Sequence, residues 1–323
     1  MCTAINYRKK FNYFGRNLDY EHSFGEKITI TPRNYEFNFR NYEKCESHYA
    51  IIGMAAVVDN YPLYFDATNE KGLSMAGLSF PHFAEYMAKQ GDKVNVASFE
   101  FIPWILARCD SLSSAREDLK NINITKESFN TELETTPLHW IIADKTGALT
   151  VEQTAKGLVV YENNAEVLTN SPDFGKQMFN LNNYLSLSAK EPVNSFANSL
   201  GLNAYSRGMG AIGLPGDFSS MSRFVKACFV KHNSVCGDNE TEAVNQFFHI
   251  LYSVYQIRGC SFSEKGSEIT HYTSCCNTNK CIYYYTTYNN SSINAVDMYK
   301  ENLNQSNLIT FNIVRSKSFH MQN

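Results

Sequence analysis

Residues 138–163, LHWIIADKTGALTVEQTAKGLVVYEN, constrain the fold more than any other stretch. They read as three short apolar runs separated by Lys145-Thr146-Gly147 and Ala155-Lys156-Gly157. Short glycine-bearing turns between such runs reverse the chain, so the stretch predicts strand, turn, strand, turn, strand. The same pattern recurs in HYTSCCNTNKCIYYYTTYNNSSINAVDM, a β-meander with its hairpin tip at Asn277–Lys280. YAIIGMAAVVDN is a continuous apolar run that stops at the Asp59-Asn60 turn, a buried strand. EKITITPRNYEF alternates apolar and polar residues, as a half-buried strand does.

Helical periodicity appears between these strands. VASFEFIPWILARCDS carries apolar residues at Phe101, Ile105, Leu106 and Cys109, and Ser113 opens a second helix, SSAREDLKNI. ETEAVNQFFHILYSVYQI puts Ala243, Val244, Phe247, Phe248, Leu251, Val254 and Tyr255 on one face. Antiparallel sheets interrupted by helix pairs predict an α+β protein in which two layers of sheet are covered by helices on both sides. No Pro/Gly/Ser linker divides the chain and no repeat is evident, so residues 1–323 read as one domain.

Charge and composition narrow the partners. The 29 basic and 32 acidic residues are spread along the chain without a Lys/Arg run, which argues against nucleic acid. No apolar run reaches the roughly 18 residues of a membrane span. The start, MCTAINYRKKFNYFGRN, has no hydrophobic signal region. Nine cysteines, an odd number, fit no disulfide framework, so the expectation is a soluble, cytoplasmic protein with reduced thiols. Cys275, Cys276 and Cys281 lack a histidine pair at ligand spacing, and no metal is expected there.

The second residue of the chain is a cysteine. If an aminopeptidase removes Met1, as a small following side chain favours, Cys2 carries a thiol and a free α-amine on one carbon. Their unperturbed pKa values are about 8.5 and about 7.7–8.0, so nucleophile and base stand side by side. FGRNLDYE, residues 14–21, offers Arg16, whose guanidinium would favour thiolate, and Asp19, whose carboxylate could hold the amine. Alone, the same two residues read as a surface ion pair after a glycine turn.

KGLSMAGLSFP, residues 71–81, suits either tight packing or a backbone N–H offered to an oxyanion. In VLTNSP, Asn170 at a strand end is either an oxyanion donor or a turn cap. In GLPGDFSSMSRF, residues 213–224, Asp217 or Ser219 caps a helix, and Arg223 in its first turns could reach a site. No G-x-S-x-G elbow, phosphate loop or dinucleotide fingerprint is present, so no cofactor is expected. His139 reads as strand packing and His249 as a partly buried helix histidine.

Together MCT, FGRNLDYE, NEKGLSMAGLSFP, LHWIIAD, LTNSPDF, GLPGDFSSMSRF and TSCCNTNKCIYYYTTYNN resemble the choloylglycine hydrolase family, in order and over essentially the whole chain. This family of N-terminal-nucleophile hydrolases includes bile salt hydrolases and penicillin V acylases, and the chain looks closer to the bile salt hydrolases of gut Gram-positive bacteria. The resemblance implies an αββα four-layer sandwich and loss of Met1 on maturation. By matching positions, Cys2 would be the nucleophile and Arg16 would sit beside its thiol. Asp19 would hydrogen-bond the α-amine, Asn170 would donate to the oxyanion, and Arg223 would complete the polar network. One departure is Ser79, in AGLSFP, where the relatives usually carry asparagine. A backbone donor at Ser79 would keep catalysis intact; a required side-chain amide would cost roughly 10²–10³-fold in rate. The backbone donor is favoured.

The reaction so implied is hydrolysis of glycine- or taurine-conjugated bile acids through a Cys2 thioester. Leu18 and the aromatic pair Tyr64-Phe65 are candidates for the steroid pocket. Arg207, in the loop AYSRGMG, could attract a taurine sulfonate or a glycine carboxylate, with a slight lean to taurine. The same machinery could instead serve penicillin V, another N-acyl amide such as an N-acyl homoserine lactone, or acyl transfer from bile acids to amines. A non-catalytic steroid-binding protein is the remaining alternative. The family also implies a homo-oligomer, a tetramer.

Overall fold

The computed structural model, which describes residues 1–41 and 45–323, packs two antiparallel sheets face to face. Among the described residues, one sheet has six strands, in the order Val167–Leu168, Cys2–Arg8, Asn12–Tyr20, Ile269–Asn277, Ile282–Thr287 and Asn290–Asp297. The other has eight: Gly157–Glu162, Gly147–Thr154, Leu138–Asp144, Ser74–Ser79, Tyr61–Asn69, Ile51–Val58, Lys27–Thr31 and Ile309–Asn312. Both predicted meanders form and supply consecutive neighbours in these sheets. Asp59 and Asn60 adopt φ of 50° and 60°, the left-handed turn that ends Ile51–Val58.

Helices cover both outer faces. Phe101–Arg108 and Leu112–Leu119 pack on the eight-stranded sheet, and Ser220–Asn233 and Glu240–Tyr252 on the six-stranded one. The second of these helices starts one residue before Ser113, because the Ser111 side chain accepts from the Ser114 N–H and caps it. Two apolar cores result: one between the sheets and out to the Ser220–Asn233 and Glu240–Tyr252 pair, the other beneath the first helix pair. The αββα arrangement is therefore observed. On Glu240–Tyr252 the predicted face is buried from Ala243 to Leu251, but His249 is exposed rather than partly buried. It lies two residues from Phe247, on the far side of a 3.6-residue turn. Among the described residues, no helix is long and apolar enough to cross a membrane.

Two bulges shape the space between the sheets. In Tyr61–Asn69, Tyr64 pairs with Ala55 and Asp66 with Met54, which leaves Phe65 as an extra residue. In Ile269–Asn277, Thr270 opposes Asp19 and Tyr272 opposes Leu18, with His271 between. The strand Asn12–Tyr20 runs through the centre of the six-stranded sheet and approaches Ile269–Asn277 closely at Gly15. A Cβ at that position would run into the Ser274 carbonyl. Gly15→Ala should therefore destabilise the fold by at least about 2 kcal/mol, the cost of overpacking against backbone that cannot yield. Gly91→Ala, in open space, should stay within about 0.5 kcal/mol of the parent in the same thermal unfolding series.

Candidate active site

Cys2 begins the strand Cys2–Arg8 and is 4 % exposed. Its backbone N–H donates to Asn170 Oδ1 at 2.7 Å. Asn170 follows the two-residue strand Val167–Leu168, which pairs with Cys2–Arg8 and so brings the amide to the first residues of the chain. Arg223 reaches the same oxygen from the helix Ser220–Asn233: its Nη2 donates to Asn170 Oδ1 at 2.7 Å. Its Nη1 donates to the Cys2 carbonyl and to Thr3 Oγ1, and its Nε to the Phe218 carbonyl. Because two N–H groups converge on Oδ1, the orientation of the Asn170 amide is fixed. Nδ2 then faces the other way and donates to the Ser79 carbonyl at 2.8 Å. An amide nitrogen carries two protons, so one remains for a further acceptor.

Arg16 lies two residues before Leu18, the partner of Cys2, and therefore on the same face of the sheet. Its guanidinium crosses the inter-sheet space and donates from Nη1 to the carbonyls of Phe65 (3.0 Å) and Gly77, and from Nε to Asn17. Burial works against this charge, but Cys2, Tyr272, Asp66 and Asp19 outweigh it and hold the Arg16 pKa above the ordinary arginine value. Burial lowers that of Arg223, with Asp19 and Cys2 opposing.

Asp19 accepts from Thr270 Oγ1 through Oδ1 at 2.6 Å, while its buried Oδ2 has no partner. Burial raises its pKa, against the pull of the N-terminal ammonium, Arg223, Thr270 and Arg16. Met1 extends the strand by one residue: its ammonium donates to the Asp19 carbonyl and contacts Glu268, and its carbonyl accepts from the Asp19 N–H. Burial lowers the pKa of this ammonium below that of an ordinary terminus. Cys2 Sγ lies 4.0 Å from the same Asp19 carbonyl.

Cys2, Arg16, Asp19, Asn170 and Arg223, the five residues expected to be catalytic, are thus brought together, with Ser79 against Asn170 and Leu18 opposite Cys2. Phe65 packs partly buried between the sheets and against Phe24. Tyr64 does not join it, which corrects the expectation of an aromatic pair. Tyr64 lies in the other core, beneath the helices Phe101–Arg108 and Leu112–Leu119, with its hydroxyl 2.7 Å from Thr31 Oγ1. Neighbouring residues of a strand point to opposite faces, so adjacent positions cannot be assumed to line one pocket. Arg207 is exposed in its loop and makes no contact with the Cys2 group. His139 is a fully buried packing residue whose ring nitrogens meet Glu152 and the Thr169 carbonyl.

Sequence reasoning missed the polar residues that complete the cluster: Thr3, Asp66, Thr270, Ser274 and the tyrosines 272 and 283. The signal was available in EITHYTSCC, where Tyr272 and Ser274 stand two positions apart on one face of a buried strand; Thr270, before the bulge, shares the other face with Asp19. All nine cysteines are free, and burial pushes the thiols of Cys109 and Cys228 up to about 12 and that of Cys281 up to about 11.

Two packed antiparallel sheets between helix layers, with a cysteine at the head of a central strand facing an amide, two arginines and a carboxylate, define an N-terminal-nucleophile amide hydrolase. The family model for linear amide C–N hydrolases, choloylglycine hydrolase family, matches residues 2–311. The chain is 48 % identical over 324 residues to the bile salt hydrolase/transferase of Lactiplantibacillus plantarum, covering all of both chains. It is 39 % identical over 329 residues to that of Clostridium perfringens, again end to end. A crystal structure of a variant of the C. perfringens conjugated bile acid hydrolase superposes with a TM-score of 0.93 over the full length of both chains, at 38 % identity. Penicillin V acylase from Agrobacterium tumefaciens shares the fold at TM-score 0.76 and 20 % identity, over 96 % of this chain and 91 % of that one. This chain belongs to the choloylglycine hydrolase family, hydrolases of linear amide C–N bonds.

Removing the Arg223 guanidinium leaves three buried acceptors (the Cys2 carbonyl, Thr3 Oγ1 and Asn170 Oδ1) and the part-buried Phe218 carbonyl short of a donor. Each such loss costs about 1–3 kcal/mol, so Arg223→Met should lower stability by at least about 3 kcal/mol in denaturant titration. Arg223→Lys should recover only part of this, since a single ammonium cannot span acceptors that the planar fork reaches.

Proposed function

We propose that this protein, acting as one domain over residues 1–323, hydrolyses the amide bond of glycine- or taurine-conjugated bile acids through a thioester on Cys2, after loss of Met1. The observation that carries this reading is the Cys2 nitrogen, whose single peptide proton is taken by Asn170 Oδ1. Asp19, next in its strand to the Leu18 that opposes Cys2, keeps a buried Oδ2 without a partner among the described residues. Once Met1 is gone, the same nitrogen is an amine with protons for both. The relatives named bile salt hydrolase/transferase and conjugated bile acid hydrolase, matched along nearly all of this chain, support the substrate class.

The cycle follows from these positions. The Cys2 sulfur attacks the amide carbonyl, and its proton passes to the α-amine held by Asn170 Oδ1 and Asp19. The second Nδ2 proton of Asn170 and the Ser79 N–H receive the oxyanion. On collapse the C–N bond breaks, and the Cys2 ammonium gives its proton to the departing glycine or taurine nitrogen. The neutral amine then takes a proton from water as it attacks the thioester, which releases the bile acid and the thiol. If an amine replaces water in the last step, the same thioester yields a new conjugate. The word transferase in the relatives' names favours this second outcome.

Leu18 and Phe65 are assigned to the steroid side of the site, and Arg207 to the selection of the anionic end of the conjugate, with taurine preferred. We also place the protein in the cytoplasm as a homotetramer. Nine free thiols fit a reducing compartment, and exposed apolar side chains along residues 179–212, among them Phe179, Leu185, Val193, Phe196 and Tyr205, offer surface for self-association.

Purified protein whose intact mass lacks Met1 should release glycine or taurine from conjugated bile acids faster than it cleaves penicillin V; the reverse order would reassign the substrate. Cys2→Ala should keep its melting temperature within a few degrees and lose turnover entirely, and material retaining Met1 should be equally inactive. Arg207→Ala should lower the taurine-to-glycine rate ratio; an unchanged ratio would remove that residue from substrate selection.

A further inference from the structure

Asp66 is a buried carboxylate that the cycle above does not use. It stands in the eight-stranded sheet beside the bulge at Phe65, is 1 % exposed, and faces the six-stranded sheet. Three hydroxyls converge on it: Tyr272 Oη donates to Oδ1 at 2.6 Å, and Tyr283 Oη and Ser274 Oγ donate to Oδ2 at 2.7 and 3.0 Å. Ser274 Oγ also accepts the backbone N–H of Arg16 at 3.0 Å. The peptide immediately before Asp66 supplies the Phe65 carbonyl that holds Arg16 Nη1. Asp66 is therefore tied to Arg16 twice, through Ser274 to its backbone and through Phe65 to its guanidinium.

The hydrogen-bond inventory sets the charge of this group. Tyr272 Oη has no other acceptor among the described residues, whereas Tyr283 Oη also lies within hydrogen-bond reach of the Ser274 hydroxyl. Were Asp66 protonated, it would have to donate to one of the hydroxyls, and Ser274 could then turn its own proton only to the Arg16 carbonyl, at a long 3.5 Å. Burial raises the Asp66 pKa, and Arg16 with the three hydroxyl donors opposes it; three donors on two oxygens favour the carboxylate. Among the described residues the Arg16 guanidinium, meanwhile, donates only to carbonyls, which accept its N–H groups without cancelling its charge.

We propose that Asp66 is a positioning residue for the Cys2 reaction: it fixes the Arg16 guanidinium and offsets part of its positive field at the thiol. This rests on Cys2 being the nucleophile. The charged and titratable groups facing Asp66 are Arg16, Tyr272, Tyr283 and Cys276; those around the thiol are Arg16, Arg223, Asp19 and the α-amine. With Asp66 neutral, two guanidinium groups would face the thiol against Asp19 alone. The thiolate would then persist to lower pH.

The test is the pH dependence of Cys2 alkylation by iodoacetamide, followed by peptide mass on the mature chain, beside the acid limb of kcat/KM. Asp66→Asn should move both midpoints down by about half a pH unit or more, the direction expected on removing a nearby negative charge. Asp66→Glu, which keeps the charge but disturbs the packing, should lose stability yet hold the parental midpoint. If Asp66→Asn does not fold, the double variant Tyr272→Phe/Tyr283→Phe strips two donors from the carboxylate and should shift the midpoint the same way. A midpoint that stays fixed or rises in the folded variant overturns the proposal, as does an equal shift in Asp66→Glu. Failure of the underlying reading looks different, since Cys2→Ala with Asp66 intact would then still turn over substrate.

Discussion

Two arginine side chains are buried to 1 % exposure between and beside the sheets, and the site is organised around that burden. A guanidinium taken out of water is tolerated only when its N–H groups are satisfied and its charge is answered. Arg223 finds acceptors in Cys2, Thr3, Asn170 and Phe218, and in doing so locks the Asn170 amide. Arg16 finds carbonyls at Phe65 and Gly77, the first released from regular sheet pairing by a bulge. The carboxylates Asp19 and Asp66 answer the charge. A nucleophile set among these groups inherits a fixed field, which is what a site needs when it must not reorganise during reaction.

Much of the fold was legible because strand and turn chemistry is local. The Lys145-Thr146-Gly147 and Ala155-Lys156-Gly157 turns sit between apolar runs, and the four helices that cover the sheets announced themselves by periodicity and caps. What sequence could not give was register. The bulges at Phe65 and His271 are choices made by the pairing of distant strands, and each changes which side chains share a face. Tyr64 is the clearest consequence: adjacency to Phe65 suggested one pocket, and the pleat sends the tyrosine to the opposite core.

The site was legible only in part, and for a related reason. Cys2, Arg16, Asp19, Asn170 and Arg223 were found because a resemblance attached roles to scattered motifs; no spacing links residue 2 to residue 223. Asp66, in YFDAT, carried no such attachment, and its partners at 272, 274 and 283 lie some two hundred residues away. A polar residue at an inward strand position is nevertheless a signal in its own right. Burying it is unfavourable unless a partner waits across the sheet, so the pair Tyr272 and Ser274 by itself implies a polar group on the facing layer.

The Met1–Cys2 peptide bond explains why the assembled cluster need not be active as it stands. With Met1 attached, the nitrogen of Cys2 is an amide: it has no lone pair available for a proton, and its one hydrogen is committed to Asn170. The Met1 carbonyl and ammonium complete the strand pairing with Asp19, so the segment is held rather than frayed. Cleavage of that one bond changes no side chain. It turns a non-basic amide nitrogen into an amine that can both take and give a proton. Under the proposed function, the chemistry is therefore switched by the state of a backbone nitrogen, while the arginines, the amide and the carboxylates are already in place.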